Sequence, residues 1–71
     1  MRLPDYLQAE LDRCPFPWGV VRRSKHWVLE VAGRRAVTLH EGAARAPRRE
    51  QQNNLSALRR AIRAAHEEKR A

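Results

Sequence analysis

The stretch RRSKHWVLEVAGRRAVTLH, residues 22–40, decides the fold. Trp27, Leu29 and Val31 alternate with His26, Val28 and Glu30. Farther on, Val37 and Leu39 alternate with Ala36, Thr38 and His40. A period of two sends successive side chains to opposite faces of a strand. Strands are therefore expected at 26–31 and 36–40, joined by Ala32-Gly33-Arg34. The pattern also speaks to the loop length. A two-residue loop would set Val31 opposite Ala36 and mix the faces. A three-residue loop with glycine, a common hairpin type, pairs positions of equal parity. It sets Leu29 opposite Val37, Trp27 opposite Leu39 and His26 opposite His40. The buried face fixes the register, so the three-residue loop is expected. Both histidines then stand side by side, on the face away from Trp27 and Leu29.

Upstream, residues 20–23 form a further expected strand. Before it, Leu3, Leu7, Leu11 and Cys14 recur at helical spacing, predicting a helix over 3–13. Pro4 suits the first turn, where its missing N–H costs nothing. Pro15 and Pro17 stop the helix, and Phe16 and Trp18 are expected to cap the core where the chain enters the sheet. Downstream, residues 41–52 are polar and read as a long connection, in part helical. Asn53 or Asn54 would cap a last helix over 55–68, whose apolar stripe is Leu55, Leu58, Ile62 and Ala65. The order is α-β-β-β-α. Two helices with one apolar stripe each can cover one face of a three-stranded antiparallel sheet, giving an α+β two-layer sandwich. The other face carries His26, Val28, Glu30, Thr38 and His40. Trp27 shares its face with Leu29 and Val31 and is expected in the core.

The chain has 71 residues, which is one small domain, 1–71. A chain this short leaves no room for a large pocket. Fifteen basic residues stand against eight acidic ones, for a net charge of +7. All the basic residues but Lys25 and Lys69 are arginine, whose planar fork matches phosphate geometry. That balance points to a polyanionic partner, foremost nucleic acid. Arg22, Arg23, Ser24 and Lys25 precede His26. Arg34 and Arg35 follow the turn, and Arg45, Arg48 and Arg49 cluster in the connection. These nine are the expected phosphate-contacting set. The single cysteine, Cys14, excludes an intrachain disulfide and a cysteine-based zinc site. The absence of any apolar run of membrane-spanning length or signal-peptide core predicts a cytoplasmic protein. No cofactor is expected. No metal is expected either, because His26 and His40 have no third ligand in view beyond Glu30. Glu30 itself is best explained as a cross-strand partner for an arginine.

Two histidines beside cationic side chains fit RNA cleavage. One imidazole can take the proton of the 2′-OH, and another can protonate the leaving oxygen. His26 is the stronger candidate and His40 the weaker. Ser24-Lys25-His26, the Gly33-Arg34-Arg35 turn and the strand Val37-Thr38-Leu39-His40 together resemble the HicA, or YcfA-like, family of small bacterial toxins. The resemblance spans residues 3–65. It implies a double-stranded-RNA-binding-domain-like fold, metal-independent cleavage of messenger RNA through His26, and an antitoxin that covers the same face. Arg23 stands where that family typically has a glycine, and Leu39 where it has a proline. The alternative on the same scaffold is a non-catalytic module or inhibitor, of prophage type, that binds nucleic acid, single- or double-stranded RNA included, or an acidic protein.

Overall fold

In a computed structural model the described residues are 3–40 and 42–70, and their order is α-β-β-β-α. Helix α1 spans Asp5–Leu11, strand β1 Trp18–Arg23, β2 His26–Val31 and β3 Arg34–Leu39. A 3-10 turn follows at Ala43–Arg45, then helix α2 at Arg48–Arg70. The three strands form one antiparallel sheet in the order β1-β2-β3. Both helices bring leucines to one side of it. Leu3, Leu7 and Leu11 meet Leu29, Val31, Val37, Leu39 and Leu58 in a single cluster. Leu7, Leu29, Leu39 and Leu58 are wholly buried. The fold is the expected α+β two-layer arrangement.

Helix α1 is shorter than its apolar stripe. It runs from Pro4, whose carbonyl accepts from the N–H groups of Leu7 and Gln8, and ends at Leu11. Cys14 still packs against the core, from the connecting segment. Tyr6 knits the helices together. Its hydroxyl donates to the Ala43 carbonyl at 3.4 Å and accepts from the Asn54 side-chain amide at 3.2 Å. Asn54 therefore ties α2 to α1 and does not cap a helix.

Helix α2 begins well before the expected 55, at Arg48. Pro47 fits just ahead of a first turn, and its carbonyl accepts from the Gln51 N–H at 3.0 Å. The Gln51 side chain reaches back to the Ala46 carbonyl at 2.9 Å, and Glu50 places negative charge in the first turn. The segment RREQQNN is polar but contains no helix breaker. The last five residues of the expected connection, 48–52, thus belong to α2, and Ala43–Arg45 form the 3-10 turn. Glu41, where the connection is expected to begin, lies outside the described residues.

The hairpin joins the expected register to a different turn. Trp27 faces Leu39, Val28 faces Thr38, and Leu29 faces Val37, as equal parity requires. Beyond Leu29 the register shifts by one, so that Glu30 faces Arg35 and Val31 faces Arg34. The turn is therefore only Ala32-Gly33, with φ of 53° and 80°. Positive φ at both central residues is the type I′ pattern, whose twist suits a hairpin. The residue left over, Ala36, is accommodated as a β-bulge. Both constraints are met: the apolar faces match and the turn is tight.

Three further expectations change. β1 starts at Trp18, two residues earlier than expected, and Trp18 is 39% exposed. Phe16 alone takes the capping role. It packs against the core and meets His66 edge-on, with ring centroids 4.8 Å apart. Val28, on the face without helices, is buried to 5% exposure. Its cross-strand neighbours are Val21 and Thr38, and it lies at the floor of the sheet face among the longer Arg23, His26, Glu30 and Arg35.

Candidate nucleic-acid interface

Pairing assigns each candidate side chain to a face. Cross-strand partners share a face, so Arg23 joins His26, and Arg22 joins Trp27. The Arg22 guanidinium lies over the Trp27 ring, 5.3 Å from its centroid, a cation–π geometry. Trp27 is half-buried against the core. Arg22 and Arg23 are neighbours in sequence but sit on opposite faces, because a strand has period two.

The open face carries His26, Arg23, Val28, Glu30 and Arg35, which line one shallow depression of about 500 Å³. His26 is half-buried there and His40 is exposed. Their ring centroids lie 6.1 Å apart, at an interplanar angle of 54°. β3 ends at Leu39, so His40 reaches its place one residue beyond the strand. The Ser24-Lys25 turn adjoins His26. A second hollow, of about 340 Å³, is lined by Arg22, Ser24, Lys25, His26 and Trp27 and wraps round the sheet end to the other face. Ser24 holds φ at 33°, a conformation that non-glycine residues rarely adopt.

Arg34 and Arg35 are at the other end of the hairpin. Arg34 faces the helix layer and pairs with Glu68 near the end of α2. Arg35 faces the open side, opposite Glu30. The cross-strand arginine expected for Glu30 is thus in place at the level of register. The Arg34–Glu68 pair also fixes the direction of α2, which returns along β3 with its start near the His40 end. That brings Arg45, Arg48 and Arg49, all exposed, to the end of the molecule where His26 and His40 lie. The nine basic and polar candidates therefore divide. Arg23, Ser24 and Lys25 adjoin His26, and Arg45, Arg48 and Arg49 flank that end. Arg22 turns to the Trp27 side, Arg35 sits farther along the open face, and Arg34 is engaged by the helix.

The arrangement can bind phosphate through several arginines and lysine. It can also bring two imidazoles to one phosphodiester, since each reaches a partner at about 2.6–3.2 Å. Among the described residues, neither imidazole has a hydrogen-bond partner that would fix its orientation. No group of three or more His, Cys, Asp or Glu side chains converges there as metal ligands would. No helix of the described residues is long and apolar enough to cross a membrane. One feature escaped sequence reasoning, the hollow shared by Arg22 and Trp27. The alternation of residues 22–27 across a two-residue turn carries its signal.

Comparison of the chain with known protein families, with curated proteins and with solved structures gives no match.

Proposed function

We propose that this chain binds RNA across the open sheet face and cleaves it without a metal, through His26, in the manner of the HicA-type toxins it resembles. The observation that carries this is the His26–His40 pair, 6.1 Å apart, beside Arg23 and Lys25. In the proposed step one imidazole, His26, removes the 2′-OH proton. The 2′ oxygen attacks the adjacent phosphorus and the bond to the 5′ oxygen breaks, leaving a 2′,3′-cyclic phosphate. His40 protonates the departing 5′ oxygen. Arg23 and Lys25 offset the negative charge that builds on the phosphorus oxygens. The setting is the cytoplasm, and an acidic antitoxin is the protein partner this face would take.

A second reading keeps the interface and drops the cleavage. It is favoured by the lack of an orienting partner for either imidazole among the described residues. A catalytic base is normally held by a third group. One experiment separates the two. Purified wild type and His26→Ala are incubated with a long single-stranded RNA in EDTA and examined on a gel. Cleavage by wild type, reduced by about a hundredfold or more in His26→Ala, is the expected result. Intact RNA with both proteins, at concentrations where a mobility shift shows binding, leaves a binding module.

A further inference from the structure

The two edges of this sheet are built differently. β3 carries the bulge at Ala36 and begins with Arg34-Arg35. Bulges and edge charges are features that keep a strand from pairing with another chain. β1 has no bulge, and its register with β2 is regular over its whole length. It contains no proline, and Trp18-Gly19-Val20-Val21 is uncharged. At its start Trp18 is the exposed large hydrophobic among the described residues.

The direction of the β1 amides follows from the ladder. Antiparallel bonding alternates between residues that exchange hydrogen bonds and residues that do not. The pair Arg23–His26 closes the two-residue Ser24-Lys25 turn, and the Ala32 N–H donates to the Pro17 carbonyl at 2.8 Å. Both fix one phase: Gly19, Val21 and Arg23 bond to β2. Trp18, Val20 and Arg22 therefore direct their N–H and C=O groups outward, and among the described residues no strand lies beyond them. The side chains of these three also share one face, because their partners are Val31, Leu29 and Trp27.

We propose that β1 pairs antiparallel with β1 of a second copy of this chain, with Val20 opposite the partner's Val20. Trp18 then stands opposite the partner's Arg22, and Arg22 opposite the partner's Trp18. All three outward-facing residues bond, giving about six interchain hydrogen bonds. Arg22, already stacked on Trp27 of its own chain, receives a second aromatic face from the other copy. Other face-matched registers are poorer. Centring on Gly19 leaves Arg22 beyond the partner strand. Centring on Val21 sets Trp18 against the partner's Ser24. Centring on Arg22 sets two arginines against each other, which destabilises a ladder. Only the Val20 register converts the charge on this edge into an attraction, and in a protein of net charge +7 that selects the pairing.

The dimer is a continuous six-stranded sheet with both open faces on one side. From strand spacing and rise, the two His26 positions lie roughly 25 Å apart, diagonally across that face. The dimer stands independently of whether the face cleaves RNA.

Sedimentation velocity of the full chain, from low micromolar to near-millimolar concentration, tests it. A concentration-dependent dimer is expected. Trp18→Ala, at an exposed position, raises its dissociation constant by about tenfold to a hundredfold, because two cation–π contacts are lost per dimer. Val20→Pro removes an outward N–H on an edge strand, where proline is tolerated, and yields monomer with an unchanged far-UV circular dichroism spectrum. If Val20→Pro does not fold, Trp18→Ala decides alone. A wild type that is monomeric throughout overturns the proposal. So does a dimer whose dissociation constant Trp18→Ala does not change.

Discussion

The two hairpin turns solve the same backbone problem in different surroundings. Each has two residues, and each begins with a non-glycine residue at positive φ, Ser24 at 33° and Ala32 at 53°. At the Ala32-Gly33 end Arg34, itself exposed, pairs with Glu68 near the end of α2. At the Ser24-Lys25 end Arg23 and Lys25 are exposed, and His26 and His40 stand together. The charge of a basic protein is therefore not one uniform field. At one end an exposed arginine is paired with a carboxylate of α2; at the other, Arg23 and Lys25 have no carboxylate within ion-pair distance among the described residues.

The largest expected difference lies in RNA affinity. Changing Arg23 and Lys25 together to alanine should weaken binding of single-stranded RNA by about tenfold to a hundredfold at low salt. The slope of log affinity against log salt should fall by about 1.4 for two lost phosphate contacts. Arg34→Ala should leave both quantities unchanged. Its cost in stability should stay under about 1 kcal/mol, because both partners of its ion pair are substantially exposed. Fluorescence anisotropy over a salt series measures the first pair of effects. Equal losses from the two ends would abolish the distinction between them.

The next effect concerns the Ala32-Gly33 turn alone. A type I′ turn favours Asn-Gly, and here alanine occupies the asparagine position. Ala32→Asn should raise stability by about 1 kcal/mol, because asparagine tolerates the left-handed region that alanine resists. In a domain of this size that corresponds to a Tm gain of about 4–8 °C. RNA affinity should not change. A neutral or lower Tm in a thermal melt would mean that Ala32 is not strained.

These turns also show what was legible in the sequence. Alternation along 26–31 and 37–39 gave the strand pairs Trp27–Leu39 and Leu29–Val37, because burial selects register. It could not say where the chain would absorb an extra residue. Ala-Gly is a weak type I′ signal, so the pattern predicts a longer loop where a tight turn and a bulge stand. The start of α2 is illegible for a similar reason. Its first two turns are polar and leave no apolar stripe, and Asn54, which resembles a cap, bonds to Tyr6 instead. Within the site, the nearness of His26 and His40 followed from parity. The separation of Arg22 from Arg23 follows from the same period, yet a cluster of like charges obscures it. The engagement of Arg34 by Glu68 depends on where a distant helix ends, and local pattern carries no trace of that.

The smallest expected effect discriminates most finely, because it sets one strained turn against the other. Ser24→Gly removes the cost of a positive φ, about 1–2 kcal/mol. It gives back about 0.4–1 kcal/mol through the freer unfolded chain. A net gain of about 0.5 kcal/mol is expected, smaller than that of Ala32→Asn. The RNA response should differ in kind. Ser24 lines the hollow with Lys25 and His26, and its hydroxyl can donate to a phosphate oxygen. Relief of strain here should cost about threefold to tenfold in RNA affinity, the net worth of one hydrogen bond at a solvent-accessible position. Backbone strain retained at a site is accounted for when its removal stabilises the fold and impairs the function. Paired thermal melts and RNA titrations on Ser24→Gly and Ala32→Asn decide this. A stabilised Ser24→Gly that binds RNA as well as wild type would make the two turns equivalent, both strained and neither used.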